Sequence, residues 1–166
     1  GAIAVLRDLM IANGFTMTRQ PYEPNYRGLV DAVIDFKEGF PDFAPLQVGF
    51  DATTFEAVSN GDALYMRTSD GQVGKASAAD GTIENAQVVG FADADAAINT
   101  TVKVIVIGLK TLSGLDAGDL YFLSPSTAGA ITLTPPSSAG QAVVRVGEAS
   151  TTTKFAIRIE PPIKLS

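Results

Sequence analysis

The chain has 166 residues, with 12 basic and 18 acidic side chains and a formal charge of −6. It contains no Cys, no His and no Trp, which excludes disulfides, Cys/His metal sites, haem ligation and every Cys/His or Ser/His catalytic pair. An apolar share of 46% against 18% charged residues is that of a folded chain, and the acidic balance disfavours phosphate backbones and anionic lipid as partners.

No stretch reaches the ~18 consecutive apolar residues of a membrane span. Arg7 and Asp8 interrupt the first apolar run, so a signal peptide is not expected either. The expectation is therefore no membrane, no nucleic acid and no cofactor.

Residues 1–44 carry helical patterns around a stiff bend. Ile3, Leu6, Met10 and Ile11 share one face of a short helix that Asn13-Gly14 ends. Pro21 and Pro24 then forbid regular helix and favour an extended connector. Tyr26, Leu29, Val30, Val33, Ile34 and Phe36 form the apolar face of a second helix. Asn25 is its N-cap, and Gly39 with Pro41 is its stop signal. Arg27 and Asp31 can pair at i, i+4 on the polar face. Helices this short need a surface on which to bury their apolar faces, either an open end of the chain's own β body or a partner. Residues 1–44 are read as an attachment segment, with Tyr22, Tyr26, Leu29, Val33 and Phe36 as interface anchors.

Composition changes near residue 45. Residues 45–166 are rich in Gly, Ala, Thr and Ser, with short apolar runs between turn signals. Leu64 to Arg67, Ser69-Asp70-Gly71 and Gln72-Val73 spell a hairpin, because Asp-Gly tolerates the positive φ of a tight turn. Val102, Val104 and Val106 lie on one face of a strand, with Lys103 and Ile105 on the other. Ala142 to Val146 and Phe155 to Ile159 continue the pattern. Pro135-Pro136 and Pro161-Pro162 belong at strand ends or in loops. Short strands at roughly 8–12-residue spacing predict a mostly β domain, a barrel or a sandwich.

This region also repeats itself. Gly61-Asp62 and Gly118-Asp119 are 57 positions apart, and so are Val89-Gly90 and Val146-Gly147. Two anchors sharing one offset predict two related β units, at about 55–107 and 112–163.

Three apparent chemical motifs fail on inspection. Gly71 to Ala76 ends in Gly74-Lys75 like a phosphate loop, but Ser69 and Ala76 stand where Gly and a metal-binding Ser or Thr are required. Asp93 and Asp95 begin like a calcium loop, but Ala97 replaces the third ligand. Asp31, Asp35 and Glu38 line the solvated side of the second helix rather than a cleft. Asp62 and Asp119 sit beside Gly, where turn chemistry wants them. No catalytic residue and no metal ligand is expected, and a carboxylate hydrolase is strongly disfavoured.

Gly118-Asp119-Leu120-Tyr121-Phe122-Leu123-Ser124, then Gly129-Ala130-Ile131-Thr132, Pro135-Pro136-Ser137 and Ile159 to Ile163, resemble capsid decoration (cement) proteins and short fibres of tailed bacteriophages. The runs Asn13 to Thr16 and Tyr22 to Gly28 resemble the N-terminal attachment segment of such virion proteins. The resemblance implies a non-enzymatic homotrimer on the virion, bound to the major capsid protein or another virion protein. A neck or tail fibre module is the alternative. A reading from another class is a carbohydrate-binding β module with Tyr65 and Tyr121 as stacking platforms.

Overall fold

A computed structural model describes residues 47–79 and 81–166. The chain divides at the Ala44–Pro45 junction, and the described residues belong to the second unit. Both expected helices and the anchors Tyr22, Tyr26, Leu29, Val33 and Phe36 lie outside the described residues.

The described part is mostly β. Its strands are β1 (Val48–Thr53), β2 (Ala63–Met66), β3 (Val73–Lys75), β4 (Val88–Ala92), β5 (Thr101–Thr111) and β6 (Leu120–Leu123), followed by β7 (Ile131–Thr132), β8 (Ala142–Val143), β9 (Arg145–Ala149), β10 (Lys154–Ile157) and β11 (Ile163–Lys164). A single 3-10 turn, Ile83–Ala86, is the one helical element among the described residues.

Nine strands form one sheet in the order β3-β2-β4-β5-β10-β9-β6-β7, with β1 also paired to β5; β8 and β11 form a separate pair. The hairpin falls where Asp70-Gly71 places it. Met66 faces Val73, Arg67 N–H donates to Gln72 O at 2.9 Å, and Gly71 has φ +71°. The phosphate-loop lookalike is thereby the hairpin tip and β3. Both proline pairs lie between strands.

The sheet is curled and open, which corrects the expectation of a closed barrel or a sandwich. The chain beyond β3 hydrogen-bonds to three separate segments instead of building a ladder with one. Gly129 N–H donates to Ala76 O (2.7 Å), Ala78 N–H to Ser124 O (3.1 Å) and Ala142 N–H to Ala78 O (3.0 Å). Backbone groups are satisfied by these single bonds, but among the described residues no continuous ladder closes the circle. The strand expected from Ala142 to Val146 is likewise interrupted at Val144, whose carbonyl turns to accept from Leu123 N–H at 2.9 Å.

β5 is long enough to take several partners. Residues 101–107 pair with β1, residues 104–105 also pair with β4 on the other edge, and residues 108–111 pair with β10. It also buries both faces. Val102 and Val104 enter one core with Ala52, Val58, Leu64, Val73 and Ala92. Ile105 enters another with Phe91, Tyr121, Leu123, Val144, Val146 and Phe155. Phe155 is edge-on to both Phe91 (5.4 Å) and Tyr121 (5.9 Å) at the centre of this second core.

Two ladders share one register. Ala63, Leu64 and Tyr65 of β2 face Phe91, Gly90 and Val88 of β4, with a bulge after Leu64. Leu120, Tyr121 and Phe122 of β6 face Glu148, Gly147 and Arg145 of β9, with a bulge after Tyr121. Every partner in the second ladder lies 57 positions after its counterpart in the first. The turns before the ladders match as well. Gly61 N–H donates to Ala92 O and Ala92 N–H to Asp62 O, each at 2.9 Å; the counterparts, Gly118 to Ala149 and Ala149 to Asp119, measure 2.7 and 3.0 Å.

Candidate functional site

Of the carboxylates weighed for chemistry, Asp31, Asp35 and Glu38 lie outside the described residues, and Asp62 and Asp95 are engaged in turns. Asp62 Oδ2 accepts Ser59 N–H at 2.8 Å, and Asp95 Oδ1 accepts Asn60 N–H at 2.7 Å. Asp93 lies 3.6 Å from the buried Lys110 ammonium. Among the described residues no group of three or more His, Cys, Asp or Glu converges as a metal site.

Of the two tyrosines offered as stacking platforms, Tyr121 is buried and Tyr65 is partly covered. Tyr121 is 5% exposed inside the second core, and its hydroxyl accepts Asp116 N–H at 2.8 Å. Tyr65 is half-buried and packs edge-on against Phe55 at 5.7 Å. The other side of that cluster is occupied too, since the Arg67 guanidinium lies 3.9 Å from the Phe55 ring centroid. Burial, with Glu56 and Glu84 nearby, pushes the Tyr65 phenol above its ordinary value.

What the described surface does offer is a groove on β6 in which exposed apolar side chains sit beside polar ones. Residues on one face of a strand alternate, so Tyr121 and Leu123 point into the core and Leu120 and Phe122 point out. Leu120 and Leu133 are 37% and 41% exposed. Together with Phe122, Gly118 and Asp119 they line a groove of about 450 Å³. On the neighbouring strand β9, Glu148 is opposite Leu120 and Arg145 is opposite Phe122, and cross-strand partners share a face. A smaller apolar spot is the exposed pair Val48 and Ile107, opposite each other on β1 and β5.

Sequence reasoning missed this groove. The signal was present in Leu120-Tyr121-Phe122-Leu123, four consecutive apolar residues where a half-buried strand would alternate with polar ones. The five anchors it nominated instead, Tyr22 to Phe36, lie outside the described residues.

Comparison of the sequence with protein-family models and with curated proteins gives no match. Among the described residues no helix is long and apolar enough to cross a membrane.

Proposed function

We propose that the chain is a non-enzymatic structural protein of a tailed-bacteriophage virion, a capsid decoration protein that stabilises contacts between coat subunits by burying surface. The observation that carries this reading is the Leu120–Phe122–Leu133 groove, with Glu148 and Arg145 opposite it on β9. It lies on a β body in which Asp62, Asp93 and Asp95 are held by hydrogen bonds or an ion pair and Tyr121 is buried. Of the motif that resembles decoration proteins, the Gly118 to Ser124 run supplies the turn and β6 residues that line this groove.

In this reading the β body consists of two related units, which the shared registers of β2–β4 and β6–β9 support. Residues 1–44 are the attachment segment, with Tyr22, Tyr26, Leu29, Val33 and Phe36 as anchors. Burying each such side chain fully contributes about 1.5–3 kcal/mol. The groove adds a second contact with the major capsid protein, and the protein works on the capsid surface as a homotrimer. Purified chain added to capsids stripped of it should pellet with them. Chains carrying Leu120→Asp with Phe122→Asp, or starting at Pro45, should remain folded and stay in the supernatant. A full-length chain that never pellets with capsids contradicts the proposal. If it is found only on tails, the fibre reading replaces it.

A further inference from the structure

Lys110 is the most deeply buried charged side chain described, at 3% exposure. Its Nζ donates to Asn60 Oδ1 at 2.7 Å and lies 3.6 Å from Asp93 Oδ1. A primary amine, a carboxamide and a carboxylate thus converge at one point, each from a different segment: β5, the turn before β2 and the end of β4.

We propose that Lys110 and Asn60 join in an intramolecular amide bond, with Asp93 carrying the proton. The neutral amine attacks Asn60 Cγ and forms the Nζ–Cγ bond. Asp93 takes a proton from the attacking nitrogen and returns one to the departing amide nitrogen. The old Cγ–N bond breaks and one ammonia leaves, so the step needs no oxidant and no co-reactant.

Several features favour this chemistry over a simple structural tie. The turn holding Asn60 is pinned by Ser59 N–H to Asp62, Asp62 N–H to Ser59 O and Asn60 N–H to Asp95, so the carboxamide is held in place for attack. Desolvation pushes the Lys110 amine below its ordinary value, against the opposing pull of Asp93, which raises the share of attacking neutral amine. Asn60 is exposed, so ammonia departs directly into solvent. The competing reaction, attack on the same carboxamide by the Gly61 nitrogen, is hindered because that N–H is held by Ala92 O at 2.9 Å.

The scaffold does not require these residues. The matched turn 57 positions later keeps the same backbone bonds with Ala117 in place of Asn60 and Ser150 in place of Asp93. In a chain without Cys, such a bond gives the permanent cross-link that a disulfide gives elsewhere.

Intact-mass spectrometry of the full chain, before and after long incubation at mildly alkaline pH, tests this. The expected result is a mass lower than the sequence mass by one ammonia. Proteolysis should then release a branched peptide joining residues 60 and 110. Asn60→Ala and Lys110→Arg should each restore the full sequence mass, and Asp93→Asn should slow the loss severalfold. Asn60→Ala keeps the test sound if Lys110→Arg fails to fold, because Ala117 already occupies the matched turn. An unchanged wild-type mass overturns the proposal. So does an ammonia loss that persists in Lys110→Arg, which would be ring closure at Asn60-Gly61.

Discussion

Leu64 and Tyr121 hold the same ladder position, one opposite Gly90 and the other opposite Gly147, yet they point into different cores. The same holds for Ala92 and Ala149, and for Val58 and Leu115. If the two ladders were related by a twofold axis, matched residues would meet in one core. Here the back of the first ladder, Ala63 and Phe91, packs on the front of the second, Tyr121 and Ala149. The two ladders are stacked front to back. At the positions of Phe91 and Val88 the second ladder carries Glu148 and Arg145, opposite Leu120 and Phe122, so charged residues take the place of apolar ones there.

The stacking rests on β5, which supplies Val104 to one core and Ile105 to the other. We therefore expect residues 45–166 to unfold in one transition. Phe155→Ala removes the centre of the second core and should cost about 3–5 kcal/mol, and Val104→Ala should cost less. Both should move the same single urea transition. Two separate transitions would show that the cores are independent.

Gly90 and Gly147 sit where their strands approach a neighbouring carbonyl. A Cβ on Gly90 would lie 2.5 Å from Ile105 O, and one on Gly147 would lie 2.1 Å from Ala156 O. Gly90→Ala and Gly147→Ala should each destabilise by about 1–3 kcal/mol through overpacking. Urea denaturation of the two variants checks this, and a neutral effect at either site would mean that the strands can separate without cost.

The hairpin tip gives a pH dependence. Asp70 accepts Gln72 N–H and pairs with Arg67, and these hold its carboxyl below the usual range. Hydrogen bonding from Thr68 does the same for Glu84. Carboxyls depressed in the folded state stabilise it above their unfolded pKa, and that stability is lost as pH falls through the folded values. The urea midpoint should therefore fall on acidification, and Asp70→Asn with Glu84→Gln should flatten that fall. Equal acid limbs in variant and wild type would remove these two groups as its cause.

Tyr121→Phe removes only the acceptor for Asp116 N–H and should cost about 0.5–1.5 kcal/mol. Because the ring is buried, capsid binding should be unchanged. Loss of binding at constant stability would place Tyr121 in a surface that its 5% exposure denies.

Turn chemistry was the most legible layer of the sequence. Asp70-Gly71, Gly61-Asp62 and Gly118-Asp119 announced their turns, because positive φ restricts the residues that fit. Which face of a strand meets solvent was less legible. Val102, Val104 and Ile105 alternate as expected, but both faces of β5 contribute residues to a core, so period two could not tell inside from outside. The break at Val144 and the two-residue strands β7 and β8 depend on backbone bonds to distant segments, which no local pattern carries. Lys110 was missed for the same reason: its partners Asn60 and Asp93 come from separate turns.

The most direct test of the decoration reading is the stoichiometry of this chain against the major coat subunit in purified virions, by quantitative mass spectrometry. The account calls for a copy number that scales with the coat subunits. A chain absent from virions, or present only at the number of a single tail vertex, would contradict it.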